Sequence, residues 1–302
     1  MKKMLFFVNP AAGKEEMRHQ LMDVLSYFTA KGYDVLCHPT QRAKDITDFI
    51  SERGSEFDMI VSVGGDGTLN ETVSGCLTLE KRPVIGYIPA GTVNDFASSL
   101  HIPKVIREAV RNVVEGVPTP VDMGGFNGEY FTYVAAFGAF TKVSYATPHA
   151  SKQMLGRAAY LLAGVRSLTD IHPIHVTVDS KDIHIEDDVL LGMVTNATSV
   201  GGFSLGDDDN VKMDDGLNEV ILVKAPKGLT EYNALLACLV ARNFKTEHFH
   251  TFQTEHVEMH FSEAVAWTLD GEYGGDHKDV TITNIPVPLQ IMAPQQTRNS
   301  ER

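Results

Sequence analysis

Positive charge is scarce in this chain beside its negative charge. Its 302 residues carry 26 Lys and Arg against 39 Asp and Glu, a formal charge of −13 at pH 7. A phosphate backbone must be met by clustered Lys and Arg, so this balance opposes nucleic acid as a partner and opposes general attraction to anionic lipid. Cysteine is scarce: Cys37, Cys76 and Cys238 are an odd set with no short paired spacing, each in apolar surroundings. That excludes a disulfide framework and points to buried thiols in a reducing cytoplasm. Long hydrophobic runs are missing as well. The N-terminal "MLFFV" stops at Asn9-Pro10, too short for a signal-peptide core. The stretches "AAYLLAGV" from Ala158 and "ALLACLVA" from Ala234 fall well short of the roughly 20 residues a spanning helix needs. The expectation is a cytoplasmic protein, soluble or resting on the inner membrane face. Its 43% hydrophobic content is ample for burial, and its length suggests two domains.

Over the first 120 residues strand and helix patterns alternate. Met4 to Val8, "YDVLCHP", "DMIVSV" and "PVIGYIP" read as strands; Glu15 to Lys31, Ala43 to Arg53 and Leu69 to Leu77 read as helices. Such alternation predicts a parallel sheet covered by helices, with ligands at the C-terminal strand ends. There the loops "NPAAGK", "HPTQ", "GGDGT" and "PAGTVND" converge. After Pro118 and Pro120 the texture changes to period-two runs: "YFTYVAAF", "IHVTVDS", "VLLGMVTN", "NEVILVK", "AVAWTLDGE" and "DVTIT". Two helical segments interrupt them, Ser151 to Leu168 and Leu229 to Phe244. The fold class is therefore an α/β domain over 1–121 and a larger, β-sandwich-like domain over 122–302. Whether the last strand, 287–293, returns to the first domain stays open.

The loop "VSVGGDGTLNET" asks what needs so much bare backbone around one carboxylate. Gly64, Gly65 and Gly67 let amides approach a phosphate, and a helix from Leu69 would aim its N-terminus at the same anion. The local alternative is a tight turn with Asp66 or Thr68 as N-cap. A carboxylate beside a phosphate cradle repels it unless a cation or a hydroxyl proton lies between, so Asp66 points to nucleotide with Mg²⁺. The Walker pattern G-x-x-x-x-G-K-[ST] and the dinucleotide pattern G-x-G-x-x-G are both absent from the loop. In "WTLDGEYGG", Asp270 and Glu272 would share a face if strand geometry persisted, and Glu272 could take a hydroxyl proton; a simple D-G turn is the alternative.

In order, "NPAAGK", "GGDGTLNE", "PAGTVNDFA" and "LDGEYGG" resemble the soluble bacterial diacylglycerol kinases of the wider lipid kinase family, which includes sphingosine and ceramide kinases. The resemblance spans nearly the whole chain. It implies an ATP site between the domains, with contacts at Asn9, Pro10, Ala11, Ala12, Gly13, Thr40, the loop Gly64, Gly65, Asp66, Gly67, Thr68, Leu69, Asn70 and Glu71, then Thr92, Asn94 and Asp95. On local grounds Thr40 could equally be an N-cap or turn residue. The resemblance makes Glu272 the proton acceptor, with Asp66 organising nucleotide and metal and Asp270 in support. It also makes "KMDDGL" a structural Mg²⁺ site: the Asp215 carboxylate, the carbonyls of Lys212 and Leu217, and a water-linked Asp122.

The implied reaction is ATP- and Mg²⁺-dependent phosphorylation of the primary hydroxyl of diacylglycerol, giving phosphatidic acid. Alternatives are another, sphingosine-like lipid alcohol, a NAD kinase, whose family also uses a GGDGT loop, or a non-catalytic nucleotide or lipid sensor. The lipid is the expected partner, met at the membrane surface. From Thr141 to Thr169 the chain carries Lys142, Lys152, Arg157 and Arg166 and no acid, and a helix there could use Lys152, Arg157 and Arg166 on anionic lipid. An ordinary solvated helix is the equal alternative. A homodimer is compatible with the sequence, which carries no signal of oligomeric state. His248, His250, His256 and His260 lie close in sequence, but "TEHVEMHF" alternates like a strand, which argues against zinc.

Overall fold

The computed structural model describes residues 1–9, 15–138, 172–200, 203–204, 212–241 and 243–295. The basic segment with Lys152, Arg157 and Arg166, and Pro10, Ala11, Ala12 and Gly13 of the first loop, lie outside the described residues. The chain divides into two compact units, Met1–Val121 with Pro288–Arg302, and Asp122–Val287.

The first unit is a right-through alternation: β1 (Lys2–Val8), α1 (Glu15–Ala30), β2 (Tyr33–Pro39), α2 (Asp45–Arg53), β3 (Met59–Gly64), α3 (Asp66–Leu77), β4 (Val84–Pro89), α4 (Asp95–Ser99) and α5 (Ile106–Glu115). The sheet is parallel in the order β4-β3-β1-β2, with Phe6 level with Cys37 on one side and Val61 on the other. The chain's last strand residues add to its edge, Ile291 pairing parallel with Ile85. Strands buried on both faces read as continuous apolar runs, and Met4 to Phe7 are fully covered. Met4, Phe6, Phe28, Val61, Ile88, Val113 and Met292 form one core layer.

Two helix starts differ from the sequence expectation. α3 begins at Asp66, three residues early, because Gly65 in an extended conformation serves as N-cap and the first helical bond runs from Leu69 N to Gly65 O at 3.1 Å. α2 begins at Asp45, two residues late, because Lys44 is left-handed at φ 63°. α5 was not anticipated, although Ile106, Ala109, Val110 and Val113 have the spacing of one buried helix face. Its Asn112 Nδ2 donates to Met292 O at 2.8 Å, tying it to the returning strand.

The second unit is antiparallel: β5 (Val117–Phe126, entering from the first unit), β6 (Glu129–Phe131), β7 (Val134–Gly138), β8 (Ile174–Ser180), β9 (Ile183–Thr195), the short pair β10 (Ser199–Val200) and β11 (Phe203–Ser204), β12 (Asn218–Lys224), α6 (Leu229–Ala241), β13 (Phe249–Thr254), β14 (His256–Leu269) and β15 (Glu272–Ala293). Strands β9 and β14 each pair with both β7 and β8, which curls the sheet around a core of Phe126, Phe137, Val176, Met259, Phe261 and Trp267. Trp267 lies against Phe137 and Phe126, ring centroids 4.7 and 4.9 Å away. Each such buried aromatic contributes about 2 kcal/mol or more. On β14 the alternation that argued against zinc is visible: Val257, Met259 and Phe261 are buried while His256 and His260 face out.

Candidate functional site

In the first unit the C-terminal ends of β1 to β4 carry Asn9, Thr40, Gly64 to Thr68, and Ala90 to Asp95, the four loops the sequence placed together. Asn9 and Thr40 are half-buried, and Thr40 N donates to Val8 O at 3.0 Å. With α3 starting at Asp66, the amides of residues 66 to 68 are its first turn and have no acceptor within the helix. Gly67 is exposed, and the place a Cβ would occupy there has no heavy atom within 4 Å. An anionic oxygen can therefore approach this backbone, and the helix dipole favours it. These residues fit the phosphates of a nucleotide.

The glycine loop is knitted to the loop after β4. Ala90 N donates to Gly64 O at 2.7 Å, and the buried Tyr87 hydroxyl lies 3.3 Å from Gly64 O and 3.4 Å from Asn94 Oδ1. Burial pushes the Tyr87 pKa well above its ordinary value, with the charges of Asp66 and Asp95 adding to the effect. Asn94, left-handed at φ 55°, closes its own loop: Oδ1 accepts from Gly91 N and Nδ2 donates to Gly91 O, both at 3.0 Å. A Cβ on Gly91 would stand 2.5 Å from Gly65 Cα, so glycine at this position is what lets the two loops touch. Asp66 reaches across as well, its Oδ2 accepting from Asp95 N at 3.2 Å and Oδ1 from Phe96 N at 3.3 Å. Its carboxylate thus caps α4, an arrangement that neither an Asp66 nor a Thr68 N-cap of α3 would give. Lys104 Nζ donates to Val93 O at 2.7 Å, beside the exposed Thr92.

Several of the expected contacts are also engaged within the chain. The Leu69 side chain is fully buried and can offer a ligand only main chain. Asn94 and Asp95 are buried. Asn70 Oδ1 lies 3.4 Å from Ser74 Oγ, and the Glu71 carboxylate accepts from Lys44 N.

In the second unit Asp270 and Gly271 form a two-residue hairpin turn with φ 51° and 86°, Leu269 pairing with Glu272. Strand geometry therefore does not persist through Asp-Gly-Glu, and the two carboxylates are not same-face neighbours: Asp270 is buried and Glu272 exposed. Asp270 Oδ2 accepts from Thr132 N and Thr132 Oγ1, each at 2.7 Å, and Oδ1 from Tyr133 N at 2.9 Å and Val134 N at 3.1 Å. Burial raises its pKa above the usual carboxylate value, and these four donors offset part of that rise. Such a carboxylate is a clamp on the β6–β7 chain. Glu272 has no side-chain hydrogen bond among the described residues.

The turn 212–217 carries the expected metal ligands. Asp215 Oδ1 accepts from Leu217 N at 3.1 Å, and buried Asp122 accepts from Gly216 N at 2.7 Å through Oδ2 while its own N donates to Met213 O at 2.7 Å. The Asp122 pKa is raised by burial, with the charges of Asp214 and Asp215 adding to it. Carboxylates converging on one turn, beside the main-chain carbonyls of Lys212 and Leu217, fit a hard cation such as Mg²⁺. Among the described residues no group of three or more His, Cys, Asp or Glu is placed to hold a metal by side chains. Sequence reasoning missed Tyr87, whose hydroxyl reaches the glycine loop, and gave no part to Asp214, whose charge acts on Asp122. Only Asp214, adjacent to a predicted ligand, carried a local signal. The outward His256 and His260 pair with Glu258 at 3.3 Å and Asp279 at 2.9 Å.

Residues 3–126 match the diacylglycerol kinase catalytic domain, and 134–293 match the YegS C-terminal NAD kinase beta sandwich-like domain. The chain is 35% identical over 277 residues to the diacylglycerol kinase of Bacillus subtilis, covering 91% of each, and 34% identical to that of Staphylococcus epidermidis, covering 99% of this chain and 95% of the relative. It belongs to the diacylglycerol kinase family. A solved diacylglycerol kinase from Bacillus anthracis shares the fold at TM-score 0.74 and 24% identity, and another Bacillus anthracis chain superposes with 0.82 at 27%, each alignment covering 97% of both chains. The chain is thus an enzyme, a kinase of lipid type. Among the described residues no helix is long and apolar enough to cross a membrane.

Proposed function

We propose that the protein transfers the γ-phosphoryl group of ATP to the primary hydroxyl of diacylglycerol, giving phosphatidic acid and ADP. The observation that carries this reading is the state of Glu272. Of the motif carboxylates Asp66, Glu71, Asp122, Asp270 and Glu272, it is the one whose side chain is exposed and, among the described residues, holds no main-chain amide. In the reaction the lipid oxygen forms the new bond to phosphorus, the bond to the ADP oxygen breaks, and the hydroxyl proton passes to Glu272. The first-turn amides of α3 bind phosphate oxygens, and Thr40 and Thr92 offer hydroxyls at the same strand ends. Mg²⁺, when bound, supplies charge neutralisation for the phosphates. A second ion at Asp215, with the Lys212 and Leu217 carbonyls, serves the fold of the 212–217 turn near Asp122. The names of the relatives support diacylglycerol as the substrate. Peripheral contact with anionic membrane through Lys152, Arg157 and Arg166 belongs to the same proposal.

The test is transfer of labelled phosphate from ATP to diacylglycerol in mixed micelles with Mg²⁺, run beside Glu272→Ala and beside NAD as acceptor. A general base contributes about 10² to 10⁴ in rate, so the variant should lose at least a hundredfold in turnover while still binding nucleotide. A fully active Glu272→Ala enzyme removes the base assignment. Transfer to NAD and not to lipid overturns the substrate.

A further inference from the structure

Glu71 is a motif carboxylate bonded to the main chain of a different segment. Its Oε1 accepts the main-chain N–H of Lys44 at 3.0 Å, and its carbonyl oxygen accepts the Thr47 hydroxyl at 2.9 Å. Lys44 stands immediately before α2 at φ 63°, a left-handed conformation that a residue with a Cβ keeps only where its surroundings hold it. The N-cap residue's own side chain makes no capping hydrogen bond there. The carboxylate that fixes the start of α2 therefore comes from α3.

The geometry leaves this link little slack. A Cβ on Gly75 of α3 would stand 2.8 Å from Ile50 Cβ and 3.1 Å from Thr47 O, so the two helices lie at the closest approach that glycine allows. At the other end of the segment, Asp45 Oδ2 accepts from Gln41 N at 2.9 Å and lies 3.2 Å from His38 Nε2. The chain from Thr40 to Lys44 is thus held at both ends by carboxylates, one local and one reaching across 27 positions of sequence.

We propose that Glu71 is a positioning residue and not a nucleotide contact: by holding Lys44 in its left-handed conformation it fixes the 40–44 segment and keeps Thr40 at the nucleotide edge. This rests on the ATP reading given above. The glycine loop and the Thr40 segment then move as one piece, because the helix that presents the phosphate-binding amides also carries the carboxylate that anchors its neighbour.

The test uses the full chain and three variants. Glu71→Ala removes the acceptor; Glu71→Gln keeps an Oε1 in the same place; Glu71→Ala with Lys44→Gly removes the acceptor but lets residue 44 take its native angles without strain. Two readouts are taken, main-chain amide exchange at Lys44 and the separate values of KM for ATP and kcat. Glu71→Ala should speed exchange at Lys44 and raise KM about tenfold, equivalent to about 1.4 kcal/mol, with kcat within about twofold. Glu71→Gln should stay within about threefold of wild type in KM, since a neutral acceptor still bonds the amide at roughly half strength. The double variant should recover most of the KM while its amide stays fast. A Glu71→Gln defect equal to that of Glu71→Ala overturns the proposal in favour of a direct charge contact. Fast exchange with an unaltered KM overturns the link to nucleotide. A wild-type chain that uses no ATP would sink the ATP reading and be recognised as such, because amide exchange at Lys44 reports the tether independently of activity.

Discussion

Replacing Asp270 by Asn tests the clamp in the second unit with little disturbance of shape. Asn-Gly is itself a preferred pair for this turn, so φ 51° at position 270 is tolerated. What changes is the acceptor count. The carboxylate receives four donors, three main-chain N–H groups and the Thr132 hydroxyl, at 2.7 to 3.1 Å. A side-chain amide keeps one oxygen for two of them and turns an NH₂ toward the other two. Hydrogen bonds to a charged group are worth about 1.5 to 3 kcal/mol each, so losing two predicts a cost of roughly 3 to 6 kcal/mol. That is a large part of the roughly 5 to 15 kcal/mol that holds a typical domain together. The reporter is built in: Trp267 is the only tryptophan of the chain, is fully buried, and precedes Asp270 on β14 by three residues. Urea unfolding followed by its fluorescence should show the midpoint falling steeply in Asp270→Asn. A loss below about 1 kcal/mol would refute the reasoning, and would mean that burial has won over the donors and that Asp270 is protonated in the folded state.

Gly91→Ala places a Cβ 2.5 Å from Gly65 Cα and 2.7 Å from Asn94 Oδ1, so it should push the two loops apart and weaken binding of a non-hydrolysable ATP analogue by at least about tenfold in calorimetry, with far-UV circular dichroism unaltered. Asp66→Asn keeps one acceptor for the amides of Asp95 and Phe96 but loses the charge; kcat/KM for ATP should fall about a hundredfold in steady-state assays, and wild-type values would remove Asp66 from the site. The His184 pKa is raised, chiefly by its hydrogen bond to Asp179, so its contribution to stability is present at low pH and lost as pH rises through the folded-state value. Its NMR titration should have a midpoint above the ordinary value, and Asp179→Asn should bring it back down.

Much of the fold was legible because burial writes a pattern into sequence. β2, β8 and β12 lie at 33–39, 174–180 and 218–224, as their apolar or alternating residues predict. What the pattern could not give was set by distant partners. α2 starts late because Lys44 is held left-handed by Glu71, 27 positions away. Asp270 reads as a turn residue or an acid, and nothing near it in sequence tells that its donors are residues 132 to 134. Asp122 likewise finds Gly216, 94 positions on. Tyr87 sits in an apolar strand, and only the folded chain reveals that its hydroxyl faces Gly64 and Asn94. α5 differs from these, since the spacing of Ile106, Ala109, Val110 and Val113 that forms its buried face is local and visible in the sequence.

The excess of acid is partly explained by these same contacts. Asp66 holds the amides of residues 95 and 96, Glu71 that of 44, Asp122 that of 216 and Asp270 those of 132 to 134. In each case the amides belong to a loop or to the start of a helix or strand, and a carboxylate from another part of the chain accepts them. A carboxylate suits this better than an amide side chain because both of its oxygens accept and neither atom donates, so it can face several N–H groups at once. The arrangement also separates two uses of acid that sequence motifs mix together. A side chain whose lone pairs are taken by amides is committed to shape, and a proton acceptor must have lone pairs to give. By that criterion Glu272, exposed, next to a turn that Asp270 pins in place and without a side-chain hydrogen bond among the described residues, has the lone pairs that the proposed proton transfer requires.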